Sequence, residues 1–163
     1  MLRPALLSFV LAASSLAQDL LPKPVVLRPD GKWCDFPATC TDGDGTPWVA
    51  YVQWDGVEDS LHVAKLKGDV LVDVLTMNGP GIIHQPSMVR DGAGTLHVFW
   101  SQVNGKNLME LKHAAVPYEN TPPSMDAFTL ASSPKGGNAF AKSAVDTAGN
   151  VWVVWHSLPL ILV

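Results

Sequence analysis

Three stretches of the chain share one alternation of apolar and polar positions. Residues 37–51, 86–100 and 141–155 each contain a short mostly apolar run, an Asp, a Gly three residues later and an aromatic residue nine after the Asp. The aspartates are Asp42, Asp91 and Asp146, the glycines Gly45, Gly94 and Gly149, and the aromatics Tyr51, Trp100 and Trp155. The template predicts a hairpin. A short strand leads to a turn in which the Asp side chain accepts from backbone amides and the Gly takes a positive φ, and a second strand rich in Val, Trp, Tyr and Phe returns. In the second copy Leu96, Val98 and Trp100 fall on one face and His97 and Phe99 on the other. In the third, residues 151–155 are apolar on both faces, as in a strand covered from two sides.

Further strands follow each hairpin. Residues 61–66 align with 108–113 and predict a third strand, and residues 70–77, after the Gly68-Asp69 turn, predict a fourth. Four short antiparallel strands in a unit of about 50 residues is the pattern of a propeller blade. No segment has the 3.6-residue periodicity of a long helix. Residues 127–132 read as at most a short strand or turn, and residues 117–138, with Pro122, Pro123, Pro134, Gly136 and Gly137, as a long loop. The predicted fold is all-β: an incomplete β-propeller of about two and a half four-stranded antiparallel blades. The copies lie near 36–77, 85–116 and 139–157 of a unit spanning 36–163. A small β-sandwich is the alternative. The third copy ends after its second strand in the apolar run 158–163, the pattern of a truncated propeller.

The run from Pro86 through Asp91 and Gly94 to Trp100-Ser101-Gln102 resembles the first two strands of blades in sialidase-like (BNR-repeat) propellers and related secreted proteins. The resemblance covers residues 36–157 and implies a fold rather than a reaction. Sialidases hold the substrate carboxylate with three arginines and use a Tyr nucleophile assisted by a Glu. Beyond residue 17 this chain has only Arg28 and Arg90, and its acidic turns join first to second strands, where that family's Asp-box joins third to fourth. Sialidase chemistry is therefore not expected.

Composition narrows the class of partner. Residues 1–17 read as a secretory signal peptide: Arg3 supplies the positive end, residues 5–16 the apolar region, and Ser15-Leu16-Ala17 the small residues before the cut. Residues 18–35 then form an extended N-terminal segment, and the protein is expected to be secreted or periplasmic. Loss of Arg3 makes the net charge more negative than the −4 of the full chain. That argues against nucleic acid, and no apolar stretch is long enough for a membrane span. In an oxidising compartment Cys34 and Cys40 are expected to form a local disulfide, with two ordinary buried thiols as the alternative.

If first strands run down and second strands return, the residues before the one meet those after the other. The ligand-binding candidates on that rim are Asp35, Trp54, Asp55, His84, Gln85, Gln102 and His156. An indole stacks on a sugar ring while Asp, His and Gln bond its hydroxyls. The alternative is ordinary loop polars, with Trp54 covering a blade edge. Asp42-Gly43-Asp44-Gly45 has the look of a calcium loop but lacks further acidic ligands, so neither calcium nor another metal or cofactor is expected. The leading function is an extracytoplasmic binding or interaction module. It would take a carbohydrate or another extracellular protein, with self-association through the open blade face. The competing readings are a glycan-active enzyme using Asp35 with Glu58, or a nonfunctional fragment of a larger propeller. No catalytic residue is assigned. The signal-peptide reading predicts Gln18 as the mature N-terminus, which N-terminal sequencing of exported protein checks.

Overall fold

The computed structural model describes residues 32–79, 81–116, 128–133 and 136–159. The signal-peptide expectation lies outside these residues. Ten strands form three antiparallel sheets. The first contains β1 (Trp33–Thr41), β2 (Pro47–Trp54), β3 (Asp59–Lys67) and β4 (Val70–Asn78) in sequential order. The second contains β5 (Ile83–Arg90), β6 (Leu96–Val103), β7 (Met109–Val116) and β8 (Phe128–Ala131) in the same order, and the third pairs β9 (Gly136–Val145) with β10 (Val151–Pro159). The first strands pack side by side, β1 against β5 and β5 against β9. Each sheet stacks on the next, as the blades of an incomplete propeller do. There is no helix among the described residues, so none long and apolar enough to cross a membrane.

Alternation along the second strands decides which side chains meet. One face of the first blade, with Trp48, Ala50, Val52, Leu61 and Val63, joins Met88, Leu96, Val98 and Trp100 of the second in one apolar cluster. The opposite face of the second blade, with Val89, Phe99 and Leu111, packs with Ala141, Val151 and Val153 of the third. Trp100 and Leu96 are thus buried by the blade before them and Phe99 by the blade after. Both faces must be apolar, as the sequence of β6 requires.

The hairpin turns repeat atom for atom. Oδ1 of Asp42, Asp91 and Asp146 accepts the amide of the residue four on: Thr46 at 2.8 Å, Thr95 at 2.8 Å and Asn150 at 2.9 Å. Oδ2 accepts a ring nitrogen six residues on: Trp48 Nε1 at 3.0 Å, His97 Nε2 at 3.0 Å and Trp152 Nε1 at 2.9 Å. Gly45, Gly94 and Gly149 sit at φ of 83°, 95° and 86°, a conformation that favours glycine. Burial alone would raise the Asp42 carboxyl, but bonds with the side chains of Asp44, Lys65 and Trp48 and with the Thr46 amide outweigh it and hold it well below the carboxylate range. On the exposed Asp146, bonds from Trp152 and Asn150 bring the carboxyl down to about 2.

A second repeated feature is a break in each first strand. Phe36, Gln85 and Phe140 all have positive φ, at 53°, 37° and 59°, each six residues before its turn aspartate. The strand registers slip there, between Asp35 and Ala38, between His84 and Ser87, and opposite Val154 and His156. A bulge of this kind re-aims the side chains on either side of it.

The turns are not equally spaced from blade to blade. A Cβ on Gly43 or Gly94 would lie 3.0 or 3.1 Å from the Arg90 guanidinium, which occupies the space between the first two turns. Between the second and third turns the backbones meet directly. Gly92 donates to the Gly149 carbonyl at 3.1 Å, and a Cβ on Gly149 would fall 2.7 Å from the Gly92 Cα.

Two expectations are corrected. Cys34 and Cys40 do not form a disulfide, because both lie on β1, opposite Gln53 and Trp48. Six residues of extended strand separate them by about 15–20 Å, where a bridge needs Cα atoms within about 7 Å. Pro37 sits at the bulge rather than in a turn. Burial, aided by Asp42 and opposed by Arg90, also pushes the Cys40 thiol up to about 11. β8 is the short strand that 127–132 allowed, but the segment expected as a loop over 117–138 also contains the start of β9: Gly136, Gly137 and Asn138 pair with Pro159, Leu158 and Ser157.

Between the second and third blades a chain of polar groups is enclosed. His97 Nε2 bonds Asp91, and its Nδ1 lies 2.9 Å from His113 Nε2. While His97 is neutral and Asp91 ionised, His97 donates through Nε2 and accepts at Nδ1, so His113 donates through its own Nε2. His113 Nδ1 is then a bare acceptor, buried and without a partner. Burial, together with the charge of His97, lowers the His113 pKa from 6.5 to about 4. Between those values the unfolded chain binds the proton and the folded chain does not. Stability should therefore be full above about pH 6.5 and fall as the pH drops towards 4. Urea unfolding at pH 7 and pH 4.5 should show the loss, and His113→Phe should reduce it. Asp42→Ala, which strips the acceptor from Lys65 (2.8 Å) and Trp48, should cost about 3 kcal/mol by the same measurement at pH 7.

Candidate functional site

The end of the sheets opposite the aspartate turns is where β1 and β5 begin and β2 and β6 finish. There the first two blades separate into a cleft of about 230 Å³. The first blade lines it with Trp33, Asp35 and Phe36 of β1, Val52 and Trp54 of β2, and Asp59 of β3. The second supplies Ile82 and, from β5, Ile83 and His84. The strand register creates this grouping. Trp33 pairs with Trp54 and Asp35 with Val52, while His84 pairs with Ser101. The bulge at Phe36 places its ring 6.0 Å from the His84 ring, centroid to centroid, so the two blades touch through these side chains.

The cleft combines exposed indoles, the buried apolar side chains of Val52 and Ile83, and the polar groups of Asp35, Asp59 and His84. Trp33 is 75% exposed and Trp54 43%, whereas Trp48 and Trp100, the other tryptophans of the first two blades, are nearly fully buried. Two exposed indoles paired across neighbouring strands put apolar surface beside the cleft. Asp59 joins the blades: its Oδ2 accepts the Ile83 amide at 2.9 Å. An adjoining hollow of about 330 Å³ continues over Lys32, Trp33, Trp54, Asp55 and Gly56.

The structure brings together part of the expected set. Asp35, Trp54 and His84 share the cleft, and Asp55 lies in the hollow next to it. Asp55 is a turn residue, its Oδ1 accepting the amides of Val57 and Glu58; backbone bonding to that segment lowers its pKa. Gln102 lies elsewhere, in a hollow with Trp100, Asn104, Glu110 and Lys112, where its Oε1 accepts from Trp100 Nε1 at 3.2 Å. Gln85 is the bulge residue of β5, and His156 stands edge-on to Phe140 in the third blade, with centroids 5.9 Å apart. Neither lines the cleft.

Trp33, Lys32 and Asp59 were not among the residues expected here. The repeat template starts after Trp33, so nothing in the repeated positions marks it. Asp59 does its work across blades, which a one-dimensional pattern does not show. Glu58, the carboxylate paired with Asp35 in the enzyme reading, does not line the cleft itself but a neighbouring polar hollow with Gln53, His62 and Thr76, which shares Asp59 with the cleft. The carboxylate that shares the cleft with Asp35 is Asp59. The acidic run at the first turn is committed to the fold: Asp42 holds Thr46, Trp48 and Lys65, and Asp44 holds the Thr46 amide and hydroxyl. Among the described residues no three His, Cys, Asp or Glu side chains are grouped to hold a metal.

Solved structures share this architecture. An endo-arabinase from Bacteroides thetaiotaomicron VPI-5482 superimposes with a TM-score of 0.60 at 16% identity, over 88% of this chain and 61% of that one. A thermostable family-43 glycoside hydrolase gives 0.53 at 17% identity, over 82% of this chain and 53% of that one. An endo-1,4-beta-xylanase from the same Bacteroides strain gives 0.52 at 14% identity, over 85% and 52%. None of these three is a sialidase. This chain spans less than two thirds of the length of each, and at such identities the likeness is one of fold. No protein-family model matches the sequence, and no curated protein is significantly similar to it.

Proposed function

We propose that this chain is an extracytoplasmic glycan-binding module whose site is the cleft between its first two blades. The observation that carries this reading is the exposed Trp33–Trp54 pair beside Asp35, Asp59 and His84. Sugars present an apolar face of C–H groups and an equatorial ring of hydroxyls. An indole takes the first, and carboxylates and imidazole take the second. The open cleft suits a length of chain lying along the rim rather than a small molecule enclosed on all sides. Export is supported by the apolar segment and small residues at 5–17, which precede the propeller.

The substrate class follows from the fold and the charge of the rim. The similar propellers include an endo-arabinase and an endo-1,4-beta-xylanase. The cleft carries Asp35 and Asp59, with Asp55 and Lys32 beside it, and so favours an uncharged pentose polymer over one bearing carboxylates. A second reading, a glycan-cleaving enzyme, is favoured by one observation: two carboxylates, Asp35 and Asp59, line the same cleft. Asp59 is already bonded to Ile83, which suits a bridging role between blades better than proton transfer.

Affinity electrophoresis through gels containing arabinan or xylan tests the proposal. The wild-type chain should be retarded. Trp54→Ala and Trp33→Ala should each weaken retardation about tenfold while leaving the fold intact, because both indoles are exposed. Release of reducing ends that Asp35→Asn abolishes would select the enzyme reading. Unaltered mobility in every neutral and acidic polysaccharide would overturn the glycan reading.

A further inference from the structure

The second blade gives the cleft an apolar residue that packing does not account for. Ile83 fills the core, while its neighbour Ile82 is 55% exposed and lines the cleft. The backbone holds Ile82 in that position. Its carbonyl accepts the Val103 amide at the end of β6 at 3.0 Å. Gly81, just before it, has φ of 87° and lies so close to β6 that a Cβ there would collide with the Val103 carbonyl. The exposure of the Ile82 side chain is therefore built into the crossing from the first blade to the second. The first blade presents Trp33, Trp54 and the partly exposed Phe36 to the same cleft, so both blades offer it apolar surface.

A bare sugar ring has one use for such surface. Its C–H groups lie on an indole, and its hydroxyls need donors and acceptors; pressing them against an aliphatic side chain strips their water without replacing it. Ile82 thus calls for a second apolar group on the ligand. We infer, resting on the glycan reading above, that the cleft takes a pentose polymer carrying short ester-linked acyl groups, the ring against the indoles and an acyl methyl against Ile82. An acyl ester is uncharged, which suits a cleft lined by the carboxylates of Asp35 and Asp59. It is also small enough to share about 230 Å³ with a sugar ring.

Affinity electrophoresis of the full chain through partially acetylated arabinan and xylan, each beside the same preparation after mild alkaline deacetylation, tests this. At least one acetylated polymer should bind about fourfold more tightly than its deacetylated form, the worth of one buried methyl group. Ile82→Ser should erase that difference while leaving retardation by the deacetylated polymer unchanged, because the side chain is exposed and its backbone bonds remain. Ile82→Leu, which keeps the apolar contact, should retain the preference. Equal or weaker binding of both acetylated forms overturns the inference and leaves the glycan reading standing. A preference that survives Ile82→Ser also overturns it, since the acyl group would then lie elsewhere. No retardation in any of the four gels removes the inference together with the pentose-polymer reading.

Discussion

A single carboxylate at each hairpin holds the repeat together. One oxygen closes the turn by accepting the amide four residues on, and the other reaches past the turn to a ring nitrogen in the following strand. The first bond fixes the local reversal. The second fixes the rotamer of a large side chain on the face that meets the next blade, so a local contact governs packing between sheets. Trp48, held this way, enters the main apolar cluster. His97 instead passes the interaction on to His113. The glycine at positive φ and the bulge in the preceding strand complete a unit that needs only a few defined residues, which leaves the rest of each blade free to vary.

This economy explains which features could be read from the sequence. Asp42, Asp91 and Asp146, with their glycines, recur because the turn geometry admits few substitutes, and three sheets in sequential order followed from them. The ring-nitrogen position escaped notice because Trp and His look unlike as letters while offering the same N–H donor. Phe36, Gln85 and Phe140 escaped for a related reason, since a positive φ is ordinarily sought at glycine. The disulfide was misjudged because oxidation and spacing describe opportunity, and strand geometry then forbids it. At the candidate cleft, Trp54 and His84 meet because strand ends coincide, which the repeat implies, whereas Trp33 and Asp59 depend on contacts that the repeat does not encode.

The two ends of the blades do different work. Turn ends are saturated with internal bonds and hold their polar groups against the backbone. At the other end the blades part, indoles stand exposed, and a carboxylate bridges the gap from Asp59 to Ile83. Internal bonding is concentrated in the first and the proposed recognition surface lies at the second, the division expected when a rigid scaffold presents a binding surface at its loops.

Arg90 and the Gly92–Gly149 contact give this fan an uneven gauge. One junction is held apart by the thickness of a guanidinium, while the other is pinched until backbone touches backbone. Identical turn chemistry therefore does not produce identical angles, and the pitch of the fan is written in the residues flanking the aspartates. Drift at these flanking positions alone could open or narrow the gap between neighbouring blades, and with it the width of the groove at the far end, while every hydrogen bond of the repeat stayed in place.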